Sequence, residues 1–453
     1  MAAIAEGHPG EAIALVDQGV PTTYGELADE VARVRGGLLG LGLQVGDRVA
    51  LVCENNRQFV VGYLAIVGAG CVAVPLNPES PPVEVNHQRT TTGTTITVGA
   101  DDIVRLSRSA PAPMVDRDDG DLAVLAFTAG TAGAPRAAML THGNLRTNIR
   151  QAQAVPGRAV VADDVCLAVV PLFHIFGLNV VLGLSLSAGA SVVLVDRFEP
   201  HATLDVVRRQ RCTVVAGAPP MWAAWAAIDA DASAFASVRL ALSGAAPLPA
   251  GVADAMRERF GVELEEGYGL TEASPVVTAF GRPVPGVAVR LVDPDGDDVP
   301  LGDPGEVWVR GPNVFAGYWH DPDATGAVLT ADGWLRTGDV GIATDDGELR
   351  LVDRIKDLVI VSGFNVFPAE VEAALARHPA VAAACVVGVP DGHTGEAVKA
   401  FVVSRAPIEA DALRAFCGER LARYKCPTDI AFVDELPSSP AGKVLRRQLR
   451  GAD

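Results

Sequence analysis

A run of six apolar residues, Leu122-Ala123-Val124-Leu125-Ala126-Phe127, passes directly into the loop sequence Thr128-Ala129-Gly130-Thr131-Ala132-Gly133-Ala134-Pro135-Arg136. The apolar run predicts a buried strand. Because glycines and small side chains leave the backbone N–H groups accessible, the loop can approach an anion closely. Thr128 and Thr131 add hydroxyl donors, and Arg136 adds a fixed positive charge. This composition suits a triphosphate, although the loop lacks the Walker pattern G-x-x-x-x-G-K-[ST] and an ordinary glycine-rich turn is the alternative.

The sequence before this loop alternates helical and strand patterns. A helix is predicted from Tyr24, with Leu27, Val31, Val34 and Leu38 on one face. The other predicted elements are the strands Val49–Cys53 and Cys71–Pro75, the helix Phe59–Gly68, and the later strands Val165–Val170, Val192–Val195 and Val214–Ala216. Continuous apolar strands that alternate with helices predict parallel sheets covered on both faces, and therefore an α/β fold.

The pattern of predicted secondary structure changes after Gly281. Short, turn-rich strands at Val287–Val292 and Gly305–Arg310 indicate a small β-rich unit. From Asp353 onward we expect a separate α+β domain of about 100 residues, built from the strands Leu358–Val361, Ala383–Val389 and Ala397–Val403 and the helices Ala369–Arg377 and Ala410–Arg423. The predicted domains are residues 1–352 and residues 353–453.

Length and charge limit the possible functions. The 453 residues correspond to roughly three domain-sized units, and 49% hydrophobic residues exclude a disordered chain. The net charge of −18 argues against a general nucleic-acid partner, because such a chain repels polyphosphate backbones. A mononucleotide remains possible, since its pocket needs only a few cations and backbone N–H groups.

The cysteines and the N-terminal sequence predict a cytoplasmic protein. Seven cysteines are scattered without C-x-x-C spacing, which favours reduced thiols, and the first residues carry no secretory signal pattern. Residues Val165–Val195 contain no charged side chain and are long enough to span a bilayer. Polar residues and Pro171 interrupt them, however, and no flanking Arg/Lys cluster is present, so we expect a strand, a loop, a buried helix and a strand rather than a membrane span.

Three further motifs carry groups that suit a nucleotide. In Glu266-Gly267-Tyr268-Gly269-Leu270-Thr271-Glu272 an aromatic ring that can lie against a base is followed by a hydroxyl and a carboxylate, which suit a phosphate oxygen and a divalent cation. The acid of Trp334-Leu335-Arg336-Thr337-Gly338-Asp339 can accept both ribose hydroxyls. Ser438-Ser439-Pro440-Ala441-Gly442-Lys443 places one lysine on a polar loop. Taken singly, each motif is also compatible with an ordinary turn.

Taken in order, the four motifs resemble the adenylate-forming superfamily of acyl-CoA synthetases, adenylation domains and beetle luciferases, and most closely its fatty acyl-CoA synthetases. The resemblance runs from Tyr24 to Lys443 and includes Pro171–His174, Ser243–Pro247, Asp353–Asp357 and Ser362–Glu370. It implies an N-terminal domain with two α/β sheets and a β-rich subdomain, and a small mobile C-terminal lid. It also implies a two-step reaction, in which ATP and a carboxylic acid form acyl-AMP and CoA then displaces AMP, with lid rotation between the steps.

The resemblance assigns roles residue by residue. For ATP it implies the phosphate-loop residues Thr128, Ala129, Gly130, Thr131, Ala132, Gly133 and Arg136, together with Ala245, Glu266, Gly267, Tyr268 (on adenine), Thr271 (on the α-phosphate), and Asp339 and Arg354 (on the ribose). Glu272 and Thr128 would bind Mg²⁺. Lys443 would be catalytic and would bridge the carboxylate and the α-phosphate. Lys356 would be the hinge, and Ser362 and Gly363 would line the CoA channel. His174 would act as a gate and would line the acyl pocket with Gly244 and Ala245; a packed, hydrogen-bonded histidine is the alternative. Arg423-Tyr424-Lys425 would meet the CoA phosphates or form a solvated helix end.

The sequence departs from the family pattern in the phosphate loop and in two short segments. Ala129 and Ala132 stand where hydroxyls are usual, and Arg136 stands where lysine is usual. Each lost hydrogen bond to a charged group weakens binding by about 1.5–3 kcal/mol. The segments between Pro82 and Leu122 and between Thr278 and Gly281 are short, so part of the acyl-pocket wall or of a dimer surface is expected to be trimmed.

The substrate prediction depends on the stretches expected to line the acyl pocket. His174–Val180, Met221–Trp225, Ser243–Pro247 and Ser274–Thr278 contain no Arg or Lys, which disfavours a dicarboxylic acid. We therefore expect a hydrophobic monocarboxylate as substrate. A medium-chain fatty acid is the first candidate, which would place the enzyme in fatty acid metabolism, and an aryl acid is the second. The alternatives are an acyl-AMP ligase that loads a carrier protein, which the absence of an insertion around Gly347–Ile360 disfavours, and a catalytically weak nucleotide-binding relative.

Overall fold

The computed structural model describes residues 1–128, 135–438 and 444–450. The chain forms two compact units, of which the first contains Met1–Ala288 and Val309–Leu335 and the second Val289–Trp308 and Arg336–Asp453. The boundary expected between residues 352 and 353 stays a prediction.

The first unit alternates strands and helices. Its strands are β1 (Ile13–Asp17), β2 (Val20–Thr23), β3 (Arg48–Val52), β4 (Val72–Leu76), β5 (Ile96–Val98), β6 (Leu122–Thr128), β7 (Arg136–Thr141), β8 (Val165–Ala168), β9 (Ser191–Leu194), β10 (Val214–Gly217), β11 (Leu240–Ser243), β12 (Leu264–Gly269), β13 (Val276–Ala279) and β14 (Arg282–Pro283). Its helices are α1 (Tyr24–Gly40), α2 (Arg57–Gly68), α3 (Pro82–Thr92), α4 (Ala100–Leu106), α5 (His142–Gln153), a π-helix (Phe176–Gly183), α6 (Leu184–Ala188), α7 (Pro200–Gln210), α8 (Pro219–Ala227), α9 (Ala250–Phe260) and α10 (Pro322–Val328).

These strands form two sheets, as predicted. One has the order β14-β13-β12-β11-β10-β8-β9-β1-β2, and its strands from β12 to β1 run parallel. The other has the order β5-β3-β4-β6-β7, in which β6 and β7 are antiparallel and Thr128 lies opposite Arg136. The apolar strand residues are buried, and so is the predicted face of α1 (Leu27, Val31, Val34 and Leu38). Burial on both faces explains why the strands read as continuous apolar runs.

An aromatic cluster packs α8 against the larger sheet. Trp222 and Trp225 are fully buried, with ring centroids 5.1 Å apart, and Phe235 lies 5.5 Å from Trp225. The indole Nε1 of Trp222 donates to the carbonyl of Leu242, at 3.2 Å. The bond satisfies a polar group in the core and ties α8 to β11.

The uncharged segment Val165–Val195 forms β8, the π-helix, α6 and β9, which confirms the predicted order of elements. The strand ends at Ala168 rather than at the predicted Val170, because the buried amide of Asn55 takes over the backbone there. Its Nδ2 donates to the carbonyl of Val170 at 2.9 Å, and its Oδ1 accepts from the N–H of Leu172 at 2.8 Å. Across residues 1–128, 135–438 and 444–450, every helix is too short or too polar to cross a bilayer.

The second unit contains two sheets. Its strands are β15 (Ala288–Val292), β16 (Pro304–Arg310), β17 (Leu335–Ala343), β18 (Leu349–Arg354), β19 (Val359–Val361), β20 (Phe364–Val366), β21 (Val381–Asp391), β22 (Gly395–Ser404) and β23 (Asp429–Phe432), and its helices are α11 (Pro368–Ala376), α12 (Ala410–Gly418) and α13 (Arg446–Leu449). The sheet orders are β15-β16-β17-β18 and β20-β19-β22-β21, with β23 beside β22.

The helix predicted over Ala410–Arg423 ends early, at Gly418. Glycine is a weak helix former, and the following chain turns so that Leu421 and Tyr424 pack on the core of this unit, next to a short 3₁₀ turn over Arg423–Lys425. Apart from such ends, the predicted α/β class, with two α/β sheets, a β-rich part and a small α+β part, is confirmed.

Candidate active site

The predicted site residues His174, Gly244 and Glu266–Tyr268 lie at the carboxyl ends of neighbouring parallel strands of the larger sheet, whereas Thr128 and Arg136 lie in the other sheet. The chain leaves β8 towards His174 and leaves β11 at Gly244, while β12 itself carries Glu266 to Gly269. Because β8, β10, β11 and β12 are parallel neighbours, their carboxyl ends share one edge of the sheet. Contacts confirm this meeting point, since a Cβ atom on Gly244 would lie 3.3 Å from Cζ of Phe176 and 3.7 Å from the carbonyl oxygen of Gly267.

His174 is held at the start of the π-helix. Its N–H donates to the carbonyl of Pro171 at 3.1 Å, and its ring Nδ1 accepts from the N–H of Phe176 at 3.3 Å. Since Nδ1 is the acceptor, the neutral ring carries its proton on Nε2. The imidazole is thus both oriented and hydrogen-bonded, and the gating role remains a prediction. Ala245, the other predicted acyl-pocket residue of this edge, adopts a left-handed conformation with φ of 73°.

Strand β12 carries Glu266, Gly267 and Tyr268, which are predicted to bind ATP, with Tyr268 on adenine. The Glu266 carboxylate accepts from the N–H of Leu248 at 3.1 Å, and the carbonyl of Glu266 accepts from the N–H of Phe280 at 3.0 Å. Tyr268 is half-buried and pairs with Thr278 of β13. The motif is therefore part of a sheet, with a parallel neighbour on one side and an antiparallel one on the other.

Three asparagines hold the turn that follows, which carries Thr271 and Glu272. Asn148 donates to the carbonyl of Val276 at 2.8 Å and accepts from its N–H at 3.0 Å. Asn179 Nδ2 donates to the carbonyl of Ser274 at 2.7 Å. Asn313 Nδ2 donates to the carbonyls of Ala273 at 2.8 Å and of Val276 at 3.2 Å. Because all three asparagines are buried, these bonds fix the backbone of the turn in low-dielectric surroundings.

The carboxylate of Glu272 is held by a tyrosine that the sequence analysis did not single out. Tyr318 donates its hydroxyl to Oε1 of Glu272 at 2.7 Å, and the N–H of Phe315 donates to the backbone carbonyl of Glu272 at 2.9 Å. Burial, reinforced by the Glu272 charge, raises the pKa of Tyr318 above its usual range. The phenol therefore stays protonated and acts as a donor to the carboxylate.

The cation of the phosphate loop also has a partner. Arg136 donates from Nε to Oδ2 of Asp321 at 3.0 Å, and its guanidinium carbon lies 5.7 Å from the centroid of the Tyr318 ring. Thr128, opposite Arg136 in the β6–β7 pair, has its Oγ1 3.5 Å from the Arg136 carbonyl. One tyrosine is thus in contact with both the predicted phosphate cation and the predicted metal carboxylate.

In the second unit, the two predicted ribose residues form a pair. Asp339 of β17 lies opposite Arg354 of β18, with Nε of Arg354 2.8 Å from Oδ1 of Asp339. The Asp339 side chain is 7% exposed. Thr337 Oγ1 accepts from the N–H of Asp339 at 3.1 Å and donates to the carbonyl of Val307 at 2.7 Å. The acid is therefore oriented by both its charged neighbour and its backbone.

Lys356 and the predicted CoA residues also lie in the second unit. Lys356 sits in a 3₁₀ turn directly after β18, and burial, with Arg354 next, lowers the pKa of its ammonium. Ser362 and Gly363 form the β19–β20 turn with positive φ angles of 51° and 81°, and among the described residues, apart from the two chain neighbours of Gly363, no atom lies within 4 Å of where a Cβ on Gly363 would be. The open space suits a narrow ligand beside this turn.

The segment Arg423–Lys425 is predicted either to contact the CoA phosphates or to form a solvated helix end. Lys425 is engaged by the carboxylate of Glu370, with both oxygens at 2.7 Å, and the Tyr424 ring stacks on Phe364 with centroids 4.9 Å apart. This segment is thus packed on its own unit, and its contact with CoA stays a prediction.

Six predicted site residues lie outside the described residues: Ala129, Gly130, Thr131, Ala132, Gly133 and Lys443. Their flanks are described. Thr128 and Arg136 are paired strand residues, and Ser438 pairs with Val444. Arg446 binds both carboxylate oxygens of Glu372, at 2.7 and 2.8 Å. This ion pair fixes the chain three residues after Lys443 in the sequence.

Glu272 and Thr128 are oxygen donors of the type that Mg²⁺ prefers. Among the described residues there is no group of three or more His, Cys, Asp or Glu side chains that could hold a metal ion by itself. Mg²⁺ that is bound with a nucleotide usually takes only one or two protein carboxylates and completes its shell with phosphate oxygens and water. The donor set therefore fits a cation that arrives with a triphosphate, whose negative charge the cation would neutralise.

The residues missed from the sequence are those that support the predicted ones. Tyr318 and Asp321 follow Gly317 in an aromatic run that ends at the start of α10, where Asp321 precedes Pro322. Such an Asp-Pro start is a recognisable helix signal, but it does not reveal which strand the segment will meet.

Comparison with known proteins identifies the class. The sequence matches the AMP-binding enzyme family over residues 1–111 and 100–319 and the AMP-binding enzyme C-terminal domain over residues 370–443. It is 39% identical to a feruloyl-CoA synthase of an Amycolatopsis species (95% of this chain, 94% of the relative) and 35% identical to a long-chain-fatty-acid–CoA ligase of Yersinia pestis (96% and 91%). Among solved structures it resembles ATP-bound MatB from Rhodopseudomonas palustris, with a TM-score of 0.92, 32% identity, and coverage of 99% of this chain and 97% of that one.

The chain therefore belongs to the AMP-binding enzyme family, which confirms the predicted adenylate-forming superfamily. Within that family it is an ATP-dependent acid–CoA ligase of the acyl-CoA and aryl-CoA branch, acting on a small-molecule carboxylic acid.

Proposed function

We propose that the enzyme activates a hydrophobic monocarboxylic acid as acyl-AMP and transfers it to CoA, with release of pyrophosphate and AMP. The observation that carries the proposal is the joint placement of Phe176, Gly244 and the Gly267 carbonyl at one sheet edge, next to the residues that suit a nucleotide. None of the four stretches expected to line the acyl pocket contains Arg or Lys, so a second carboxylate on the substrate would stay unpaired there. A medium-chain fatty acid is the first candidate for the substrate.

An aryl acid is the second candidate, and two observations favour it. The Phe176 ring lies against Gly244, which supplies an aromatic wall for a flat substrate. The 39% identical relative is a feruloyl-CoA synthase, and a 4-coumarate–CoA ligase of Narcissus pseudonarcissus is 33% identical over 94% of this chain.

In the proposed reaction each group has one task. Arg136 and the loop N–H groups hold the β- and γ-phosphates, Tyr268 stacks on adenine, and Asp339 accepts the ribose hydroxyls. Lys443 neutralises the charge that develops as pyrophosphate leaves. Glu272 and Thr128 would hold Mg²⁺, which would supply positive charge to the phosphates when bound. Ser362 and Gly363 let the CoA thiol approach the acyl carbon, and His174 separates the nucleotide from the acyl group.

A CoA-dependent AMP-release assay tests this proposal. Saturated acids of 4 to about 14 carbons, ferulate, 4-coumarate, benzoate and a dicarboxylic acid such as malonate are each offered with ATP and CoA. Acyl-CoA is identified by mass spectrometry. We expect kcat/KM to be highest for one hydrophobic monocarboxylate series and lowest for the dicarboxylic acid.

Omitting CoA separates the alternatives. Pyrophosphate exchange with an acid but no thioester on CoA would favour the carrier-loading ligase. Nucleotide binding without exchange for any acid would favour the catalytically weak relative, and a preference for the dicarboxylic acid would refute the pocket argument.

A further inference from the structure

A short segment of the first unit, Gly317–Asp321, joins the phosphate-loop strand to the turn that carries Glu272. It docks on β7 through backbone bonds from Met139 N–H to the Gly317 carbonyl at 2.9 Å and from Trp319 N–H to the Ala137 carbonyl at 2.8 Å. Phe315, just before it, bonds the backbone of Glu272 at 2.9 Å. The segment is thus built into both neighbours rather than lying over them.

The carboxylate of Asp321 divides its two oxygens between two tasks. Oδ1 accepts from the N–H of Ala324 at 2.9 Å and caps α10, and Oδ2 accepts from Nε of Arg136 at 3.0 Å. The capping bond and Arg136 both lower the pKa of Asp321, so it remains charged at neutral pH. Because the capping bond fixes the carboxylate, the position of Oδ2 does not depend on its bond to Arg136.

The bond through Nε explains how Arg136 suits this particular loop. Among the described residues the Arg136 side chain makes one hydrogen bond, through Nε, and that bond leaves the N–H groups of both terminal nitrogens for phosphate oxygens. A lysine has a single ammonium group, so pairing with Asp321 would engage the same group that must bind the phosphate. An aspartate at this position is therefore compatible with arginine at residue 136 and unfavourable for lysine.

Tyr318 connects this pair to the metal carboxylate. Its ring lies 5.7 Å from the Arg136 guanidinium carbon, and its hydroxyl is 2.7 Å from Oε1 of Glu272. Phe315 packs edge-on against the ring at 5.0 Å, and the N–H of Tyr318 donates to Oγ1 of Thr325 at 2.9 Å. Both ends of the tyrosine are therefore held, and its hydroxyl position is determined by packing.

We propose that Asp321 and Tyr318 are positioning residues for Mg·ATP: Asp321 orients the Arg136 fork towards the phosphates, and Tyr318 orients the Glu272 carboxylate towards Mg²⁺. The proposal rests on the proposed nucleotide site and adds two residues that act on it through Arg136 and Glu272.

A double-mutant cycle on Mg·ATP affinity tests the first half. The dissociation constant is measured by calorimetry without acid or CoA, for the wild type, Asp321→Asn, Arg136→Lys and the double variant. Asparagine keeps a capping oxygen but removes the charge, so Asp321→Asn should weaken binding about five- to tenfold, and Arg136→Lys by a similar factor. In the double variant the ammonium is released from its counter-ion, so the loss should not exceed the larger single loss. Losses that multiply, or an unchanged Asp321→Asn, would overturn the proposal.

Controls separate positioning from folding. Asp323→Asn removes an exposed charge in the first turn of α10 and should bind like the wild type. If Asp321→Asn does not fold, Asp321→Ser, which also caps helices, takes its place.

Magnesium dependence tests the second half. Tyr318→Phe keeps the ring and loses the hydroxyl, so the Mg²⁺ concentration for half-maximal ATP binding should rise about tenfold. ATP binding in EDTA should stay within about twofold of the wild type. Equal losses with and without Mg²⁺ would assign Tyr318 to packing and refute its positioning role. Absence of ATP binding by the wild type would overturn both the site and this inference, whereas ATP binding without any acyl-CoA product would remove only the proposed substrate activity.

Discussion

Replacement of Asn148 by alanine should loosen the turn that carries Thr271 and Glu272. Asn148 is 1% exposed and binds both the N–H and the carbonyl of Val276. The Val276 carbonyl keeps a bond from Asn313 at 3.2 Å, so alanine leaves the Val276 N–H without this partner and also removes the bond from Asn148 Nδ2 to Oε1 of the buried Gln151, at 3.2 Å. An orphaned donor costs about 1–3 kcal/mol and the lost second bond about 0.5–1.5 kcal/mol, which together predict a local loss of about 2–4 kcal/mol.

Hydrogen–deuterium exchange of peptides that span residues 270–280 measures this loss directly. A local destabilisation of 2–4 kcal/mol corresponds to exchange that is at least about 30-fold faster in this region. Because the turn positions Glu272, the ATP KM should rise as well, while secondary structure by circular dichroism stays unchanged.

Two further variants make the reasoning refutable. Arg150→Ala changes an exposed residue on the same helix and should alter exchange by less than twofold, as surface substitutions generally have small effects. Asn148→Asp keeps the acceptor for the Val276 N–H but places a carboxylate against the Val276 carbonyl, so it should be at least as harmful as alanine. If Asn148→Ala exchanged like Arg150→Ala, the clamp would carry no measurable energy and the argument would be wrong.

Three other outcomes are expected. Lys443→Ala should lose adenylation, measured by pyrophosphate exchange, and largely keep thioester formation from supplied acyl-AMP; equal losses would remove the role assigned to a lysine that acts in one half-reaction. Glu272→Gln should raise the Mg²⁺ requirement and lower adenylation steeply, because an amide oxygen is a weaker cation ligand, and normal activity at low Mg²⁺ would contradict it. Asp339→Asn should weaken ATP binding at least about tenfold and abolish the preference for ATP over 2′,3′-dideoxy-ATP in competition binding; an unchanged preference would show that Asp339 does not bind the ribose.

The sequence by itself determined the fold class and the ordered nucleotide motifs. Hydrophobic period and composition are local properties of the sequence. The buried face of α1 and the buried strands could be predicted because a residue that is buried in the fold is usually apolar. The order and spacing of the four motifs identified the superfamily, and this identification did not require that the motifs be seen together.

The ends of elements were less predictable, because they depend on partners that are distant in sequence. The strand after Val165 ends where Asn55, more than 100 residues earlier, bonds Val170 and Leu172. The helix after Ala410 ends at Gly418 because the next residues pack on the core of their unit. Local sequence propensity reveals neither the hydrogen bonds of Asn55 nor the packing of the residues after Gly418, and these interactions decide where the two elements end.

Only the tertiary structure decided which side chains support the predicted site. Asn148 lies 128 residues from Val276, Tyr318 lies 46 residues from Glu272, and Asp321 lies 185 residues from Arg136. A hydrogen bond is decided by distances of a few tenths of an ångström, which follow from the packing of β7, β12 and the Gly317–Asp321 segment together. The residue types of a site can be read from a sequence, whereas the groups that orient them are brought close only by the folded chain.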